Sequence, residues 1–367
     1  MLPSSKFYSI NHLVTILGSQ FEVVRYFNLL YDPYFQQLLN NDLLNITNWG
    51  EADHFFSEHA GFIQGFHKTN NVILGTKAWI TLLDVIQSID NMRFKEIHKG
   101  TPYYFSAIFY LKMEKYEDGL EFMDFGLSQD FRIHNRKEVT KAPGWLYLTL
   151  YPTGGNDEGQ AQILNESLLN FIHLLSKFNI LTSIEELRNI ITTKILLKSE
   201  RARRSAWASL ISQILEFNQN KQILRIAPLD LENQIKAHLS LVKMSLILET
   251  LLKKSAKSKK INSKKPHKNK AFKVYSHPNL ALGGLYKCLS IGTKSILPQS
   301  KDFNYKILEK SLLKVTLNDV TLGYSIAILI RNNVNHTFQN SSINESLYEK
   351  LFITIFNVQI ESLRKFY

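Results

Sequence analysis

Apolar residues recur at intervals of three or four positions through most of this chain, which is the spacing of amphipathic helices. A clear case lies near the C-terminus, where Leu322, Ile326, Ile330 and Val334 follow one another every fourth residue. The strict alternation that indicates β-strands is scarce. The pattern therefore predicts an all-α protein.

The second half of the chain predicts a series of helices, at about residues 160–178, 183–198, 201–218, 230–254, 278–290, 304–314, 319–335 and 343–365. The run from Ser342 to Glu345 has the spacing of a capping box, which predicts the start of the last helix. One face of that helix carries aliphatic residues at helical spacing: Leu347, Leu351, Ile355 and Val358. Such a face favours burial against neighbouring helices.

The segment from Tyr151 to Gly159 concentrates Pro, Gly and Asn, and a long helical pattern follows it directly. It predicts a boundary between a helical N-terminal domain, residues 1–155, and a C-terminal helical bundle, residues 156–367. Within the first, residues 101–130 resemble one tetratricopeptide-like helical hairpin. The residues at that repeat's packing positions are Ala107, Tyr110, Gly119, Met123 and Gly126. We find no second copy, so we expect one antiparallel helix pair inside a larger domain.

Composition favours a globular protein in a reducing compartment. Of 367 residues, 44% are hydrophobic and 21% are charged, and no run of 18 apolar residues occurs. The N-terminus lacks the continuous apolar stretch of a signal peptide. The single cysteine, Cys288, excludes an internal disulfide. We expect a cytoplasmic protein without a membrane partner.

The net charge of +12 comes almost entirely from one segment. Residues 253–273 contain ten lysines and no acid, so the rest of the chain carries only +2. This composition predicts a mobile loop. It either binds RNA phosphates by displacing counterions or is a solvated linker between two helices. The candidate RNA-binding residues are Lys253, Lys254, Lys257, Lys259, Lys260, Lys264, Lys265, Lys268 and Lys270.

The most informative run closes the helix described first. It reads Arg331-Asn332-Asn333-Val334-Asn335-His336. A buried helix that ends on an arginine, several amides and a histidine meets water, a ligand or a phosphate at that end. In the simplest structural interpretation, Arg331 caps the helix carbonyls and His336 is an exposed loop residue.

The run resembles the R-N-x-x-x-H signature of HEPN-superfamily ribonucleases. The resemblance covers about residues 305–365 and extends more loosely back to about residue 160. It implies a small α-helical domain that cleaves RNA through the 2′-hydroxyl of the substrate, without a metal or other cofactor. It also implies a homodimer whose two signatures line one composite cleft. Arg331, Asn332 and His336 match the signature and are the expected catalytic residues.

The resemblance makes a metal-independent endoribonuclease the leading functional hypothesis, in a bacterial toxin or anti-phage defence role. The N-terminal domain would then bind a regulatory protein. The alternative is a non-catalytic helical scaffold that binds RNA only through its basic loop.

Other clusters are weaker candidates. His54 and the Glu58-His59 pair are one residue further apart than in the H-x-x-E-H zinc proteases. Because Phe55 and Phe56 lie between them, the stretch favours a helical core, and we predict no metal site.

Two further groups remained open. The basic run Arg201–Arg204 suits either RNA contact or a solvated helix start. Glu249, Glu309 or Asp319 could supply a carboxylate that orients His336, and no spacing singles one of them out.

Overall fold

The protein is described from a computed structural model. The structure describes residues 23–68, 72–134, 136–150, 158–181, 183–198, 201–258, 282, 285, 305–312, 316–332 and 342–366. Every regular element in these ranges is a helix, and no strand occurs among them. The all-α prediction is confirmed.

The chain divides into two compact units, Met1–Ile163 and Leu164–Tyr367. The helices of the first are α1 Val23–Leu30, α2 Pro33–Asn45, α3 Trp49–Lys68, α4 Val72–Ile89, α5 Asn91–Glu96, α6 Gly100–Lys112, α7 Tyr116–Ile133, α8 Arg136–Val139 and α9 Pro143–Leu148. The division falls within α10, Glu158–Ser176. The remaining helices are α11 Ile184–Lys194, α12 Arg201–Ile226, α13 Leu231–Ser258, α14 Tyr305–Leu312, α15 Val320–Asn332 and α16 Glu345–Phe366.

Helices α6 and α7 form the helix pair expected at residues 101–130. Small residues let the two backbones approach: a Cβ on Gly119 would lie 2.8 Å from the Leu111 side chain. A Cβ on Gly126 would lie 2.4 Å from the ring of Tyr104. Ala107 is fully buried in the same pair. Side-chain volume at the glycine positions therefore limits how closely these helices pack.

Helix α4 is long and apolar enough to cross a membrane by length and composition, the one such helix in the described ranges. This is weak evidence, because the core helix of a globular unit passes the same test. Trp79, Leu82 and Ile86 on α4 are fully buried within the first unit, and Trp79 stacks on Phe105 at 5.8 Å between ring centroids.

The core of the second unit is aromatic. Phe171 of α10 makes edge contacts with Phe217 of α12 and with Phe352 and Phe356 of α16, at 5.1–5.7 Å between centroids. Phe217 also lies 4.6 Å from Phe352. Rings in such geometry add about 0.5–1.5 kcal/mol per pair beyond their burial. The apolar face predicted for α16 is buried, since Leu347, Leu351, Ile355 and Val358 are each at most 3% exposed.

A buried hydrogen-bond network sets the register between α12, α13 and α16. Ser240 donates to Oε1 of Gln213 at 2.9 Å, and the hydroxyl groups of Ser240 and Tyr348 lie 3.0 Å apart. Asn220 donates to the Tyr348 hydroxyl at 3.1 Å. Because a slip of one residue would leave these buried groups unpaired, the network fixes the level of each α12 residue against α13.

Helix α15 is capped by Asp319, whose carboxylate accepts from the backbone N–H groups of Thr321 and Leu322. Such a cap satisfies N–H groups that the helix leaves free. Leu322, Ile326 and Ile330 are buried, as the four-residue spacing predicted. Tyr324 and Ala327 are buried as well, so α15 is enclosed on more than the predicted face.

Two helix ends differ from the sequence predictions. The last helix begins at Glu345 and is capped by Asn344, which accepts from the N–H of Leu347 at 2.8 Å, so the Ser342 cap is wrong by two residues. Helix α13 continues to Ser258. Lys253, Lys254 and Lys257 are therefore helical, because lysine is a good helix former and Lys253 pairs with a carboxylate one turn earlier.

Candidate functional site

Arg331 lies in the last turn of α15, one turn after the buried Ala327 and two turns after the buried Tyr324. Its side chain is 31% exposed. A cation in this position interacts favourably with the negative end of the helix dipole, as the capping interpretation requires. The structure, however, gives its guanidinium a more specific partner than the helix carbonyls.

Glu249 of α13 is that partner. Its Oε2 accepts a hydrogen bond from Nε of Arg331 at 2.8 Å, across 82 positions of the sequence. Its other oxygen, Oε1, lies 2.7 Å from Nζ of Lys253. The Glu249 side chain is only 7% exposed, whereas Lys253 is 33% exposed. One buried carboxylate thus holds two cations that both reach the surface.

The charge on Glu249 depends on these partners. Burial raises the pKa of its carboxyl, but the hydrogen bonds from Lys253 and Arg331 together outweigh burial and hold the pKa below its usual value. Its Oε2 also accepts from the backbone N–H of Leu282 at 3.2 Å. A carboxylate with three donors stays ionised and fixed in place, so it restrains the orientation of Arg331.

The rest of the Arg331 guanidinium is more open. Nη1 lies 3.4 Å from Oδ1 of Asn332, a long and weak hydrogen bond. Asn332 itself is exposed. Within the described ranges, Nη2 of Arg331 makes no hydrogen bond. The geometry therefore leaves donors on Arg331 facing outward beside the amine of Lys253.

The basic run at the start of α12 lies at the same level. Ser240 of α13 donates a hydrogen bond to Gln213 of α12, and the two helices are antiparallel. Glu249 comes nine residues after Ser240, and Arg204 comes nine residues before Gln213, so Glu249 and Arg204 lie at the same height along the helix pair. Arg203 and Arg204 are buried, the latter 2% exposed. The expectation of a solvated helix start is wrong for these two side chains.

The other predicted residues are only partly described. His336 lies outside the described residues, and so do Lys259, Lys260, Lys264, Lys265, Lys268 and Lys270. For Lys254 and Lys257 the structure gives the helical backbone alone. Whether His336 meets Arg331, and whether these lysines bind RNA, remain predictions.

The alternative carboxylates have other surroundings. Asp319 caps the opposite end of α15, and Glu309 is exposed on α14. In the first unit, burial lowers the pKa of His59 to about 3, so this imidazole stays neutral. Among the residues that the structure describes, no group of three His, Cys, Asp or Glu side chains is arranged to hold a metal ion.

One signal in the sequence pointed to Glu249. It lies on the apolar stripe of α13, one residue after Leu248 and three before Leu252, both fully buried or nearly so. An acid on a buried stripe requires a cationic partner, and Lys253 one turn later is the nearest. Pairing with Arg331 is a tertiary contact that no local spacing encodes.

Comparisons with protein-family models, with curated protein sequences and with solved structures find no match to this chain. The argument for function therefore depends on the Arg331 site and on the resemblance of its sequence.

Proposed function

We propose that this protein is a metal-independent endoribonuclease of the HEPN type, with Arg331, Asn332 and His336 as its catalytic residues. The observation that carries the proposal is the position of Arg331 and its hydrogen bond to a buried carboxylate. It closes a buried helix, its Nε is held by the buried Glu249 at 2.8 Å, and its side chain is still 31% exposed. An arginine that only capped helix carbonyls would need no buried carboxylate behind it.

The proposed chemistry uses the 2′-hydroxyl of RNA as the nucleophile. Arg331 binds the scissile phosphate and stabilises the negative charge that develops on its oxygens. His336 moves a proton, either from the 2′-oxygen or to the 5′-oxygen that leaves. The bond from the 2′-oxygen to phosphorus forms and the bond to the 5′-oxygen breaks. The products are a 2′,3′-cyclic phosphate and a 5′-hydroxyl end.

Charge at this end of the unit favours a polyanionic substrate. Arg331 and Lys253 share the carboxylate of Glu249, and the lysine-rich segment follows Lys253 directly. Cations grouped in this way raise the local concentration of a charged ligand and speed its association. They neutralise phosphates irrespective of base sequence, so they support RNA affinity and leave target choice open.

Purified protein is expected to cleave RNA in excess chelator, because the proposed reaction uses no metal. The test compares labelled RNA with the same oligonucleotide carrying a single 2′-deoxy substitution at the cut site, with and without EDTA. We expect cleavage to persist in EDTA, to stop at the substituted position and to leave cyclic phosphate ends. If no RNA is cut under any condition, the scaffold alternative replaces this proposal. Cleavage that requires added Mg²⁺ also contradicts it.

Subunit mixing tests the composite cleft of the proposed homodimer. Neither Arg331→Ala nor His336→Ala protein should cleave RNA alone. After the two are mixed and exchanged, we expect about a quarter of wild-type activity, because half of the dimers are mixed and each regains one intact pair. Light scattering checks the dimer. The composite cleft is rejected if exchanged mixtures stay inactive, or if a strictly monomeric wild-type protein cleaves RNA.

The biological role that we propose is growth arrest in a bacterial toxin or anti-phage system, in the cytoplasm, with the first unit binding a regulatory protein. This role rests on the resemblance alone. Expression of the wild-type chain in bacteria, beside the Arg331→Ala chain, tests it through growth and the integrity of total RNA.

A further inference from the structure

Two cations share one carboxylate at the Arg331 site. Glu249 bonds Arg331 through one oxygen and Lys253 through the other, and the carboxylate is buried while the cations are each about one third exposed. The three groups together carry one net positive charge. The Glu249 carboxylate is buried, whereas Arg331 and Lys253 reach the surface. Some hydrogen-bond donors of these two cations therefore lack an acceptor there.

The spacing of the two cations suits one phosphate group. Because both nitrogen atoms bond the same carboxylate, they lie within roughly 8 Å of each other. A phosphate accepts charge-assisted hydrogen bonds of about 2.8 Å on oxygens that point in different directions, so it bridges donors at that separation. Neither cation has to leave Glu249, since Nη2 of Arg331 and the other two protons of the Lys253 amine remain available.

We propose that Arg331 and Lys253 form a two-pronged site for a phosphodiester group of RNA, with Glu249 as the positioning residue behind them. This inference rests on the proposed function, and it goes beyond it by giving Lys253 and Glu249 defined roles. Lys253 holds the same phosphate as Arg331. Glu249 sets the distance between the two cations, and Leu282 restrains Glu249 through its backbone N–H.

The chain contains a matched pair for comparison. Lys236 and Glu232 lie on the same helix, at the same four-residue spacing and the same 2.7 Å distance. Their side chains are 54% and 75% exposed, and no arginine joins them in the described ranges. An exposed pair of this kind contributes little to stability, because solvent screens the two charges. Substitutions there remove one lysine or one acid from α13 without touching the proposed site.

The test measures binding of a 2′-O-methyl RNA oligonucleotide, which keeps its phosphates and cannot be cleaved through the 2′-oxygen. Lys253→Gln is expected to weaken binding five- to tenfold and to reduce the slope of log affinity against log salt by about 0.7, the value for one phosphate contact on a single strand. Lys236→Gln should change affinity less than twofold. Equal effects of the two substitutions on affinity and salt slope overturn the site.

Coupling between substitutions separates positioning from general stability. If Arg331 and Lys253 hold one phosphate, Arg331→Ala and Lys253→Gln together should weaken binding less than the product of their separate effects. The loss of RNA affinity caused by Lys253→Gln should be smaller in a Glu249→Gln protein than in the wild type. In a Glu232→Gln protein, Lys253→Gln should cause the same loss as in the wild type. Strict additivity in both cases overturns the role of Glu249. Thermal unfolding of each variant confirms that folded protein is compared.

Binding and cleavage fail independently in this design. Suppose that the wild type cleaves RNA, but that Lys253→Gln and Lys236→Gln have the same RNA affinity and the same dependence of affinity on salt. The phosphate site is then rejected and the nuclease stands. If the wild type cleaves no RNA but loses affinity specifically on Lys253→Gln, the phosphate site stands and the nuclease is rejected. Inorganic phosphate serves as a competitor for the RNA oligonucleotide. If inorganic phosphate displaces the RNA when both are at the same molar concentration, the site is not specific for a phosphodiester within an RNA chain, and the proposal is overturned.

Discussion

Arg331→Ala and His336→Ala are each expected to lower RNA cleavage by a factor of about 10² to 10³ or more, while the protein remains folded. Loss of one donor aimed at developing charge costs about this much in other enzymes, and loss of an acid–base group costs about 10² to 10⁴. Arg331 lies at a helix end with its side chain partly exposed, so its removal leaves the helix core untouched. The measurements are single-turnover cleavage in chelator and thermal unfolding.

Arg225→Ala provides the matched control for this result. Arg225 also lies in the last turn of a helix of the second unit, and it is exposed. We expect wild-type cleavage from it. A wild-type rate in either Arg331→Ala or His336→Ala contradicts the catalytic assignment. Loss of cleavage together with a large fall in melting temperature would instead indicate that Arg331 is structural.

Gly323→Ala is expected to lower the free energy of unfolding of the second unit by about 2–3 kcal/mol through overpacking. In an exposed helix the same change stabilises by about 1 kcal/mol, because alanine is the better helix former. At Gly323, however, a Cβ would lie 2.2 Å from Cγ2 of Val358 and 2.9 Å from the backbone oxygen of Thr354. Helices α15 and α16 would have to separate. Denaturant titration measures the loss.

Gly50→Ala is the control for helix propensity. A Cβ on Gly50, in the first turn of α3, would meet only the Asn48 side chain, at 3.3 Å. We expect unchanged or slightly increased stability there. An increase in stability on Gly323→Ala would mean that α15 and α16 pack less closely than the structure has them.

The helices with the strongest periodicity could be predicted from sequence alone. For α15, the repeat of Leu322, Ile326 and Ile330 gave both the element and its buried face, because burial of one face is encoded locally at every turn. The sequence places the end of α13 too early, since its charge composition alone indicates a loop. Lysines continue a helix readily where a carboxylate lies one turn before them, as Glu249 does.

The candidate site was only half predictable. Arg331 was found because polar residues closing an apolar helix are unusual. The sequence offered Glu249 only as one of three acids that could orient His336, because the contact between Arg331 and Glu249 is created by the packing of α15 on α13. Likewise, the burial of Arg203 and Arg204 is created by tertiary packing, which no local pattern expresses.

The hydrogen bonds of Glu249 also bear on how this protein tolerates insertions. The carboxylate accepts from Lys253 and from the backbone of Leu282, so both ends of the intervening stretch are anchored at one point. Closing a longer stretch between fixed ends costs entropy only logarithmically, about 0.6 kcal/mol for each doubling of its length. A change in the length of the sequence between Lys253 and Leu282 is therefore expected to leave the contacts of Glu249 with Arg331 in place.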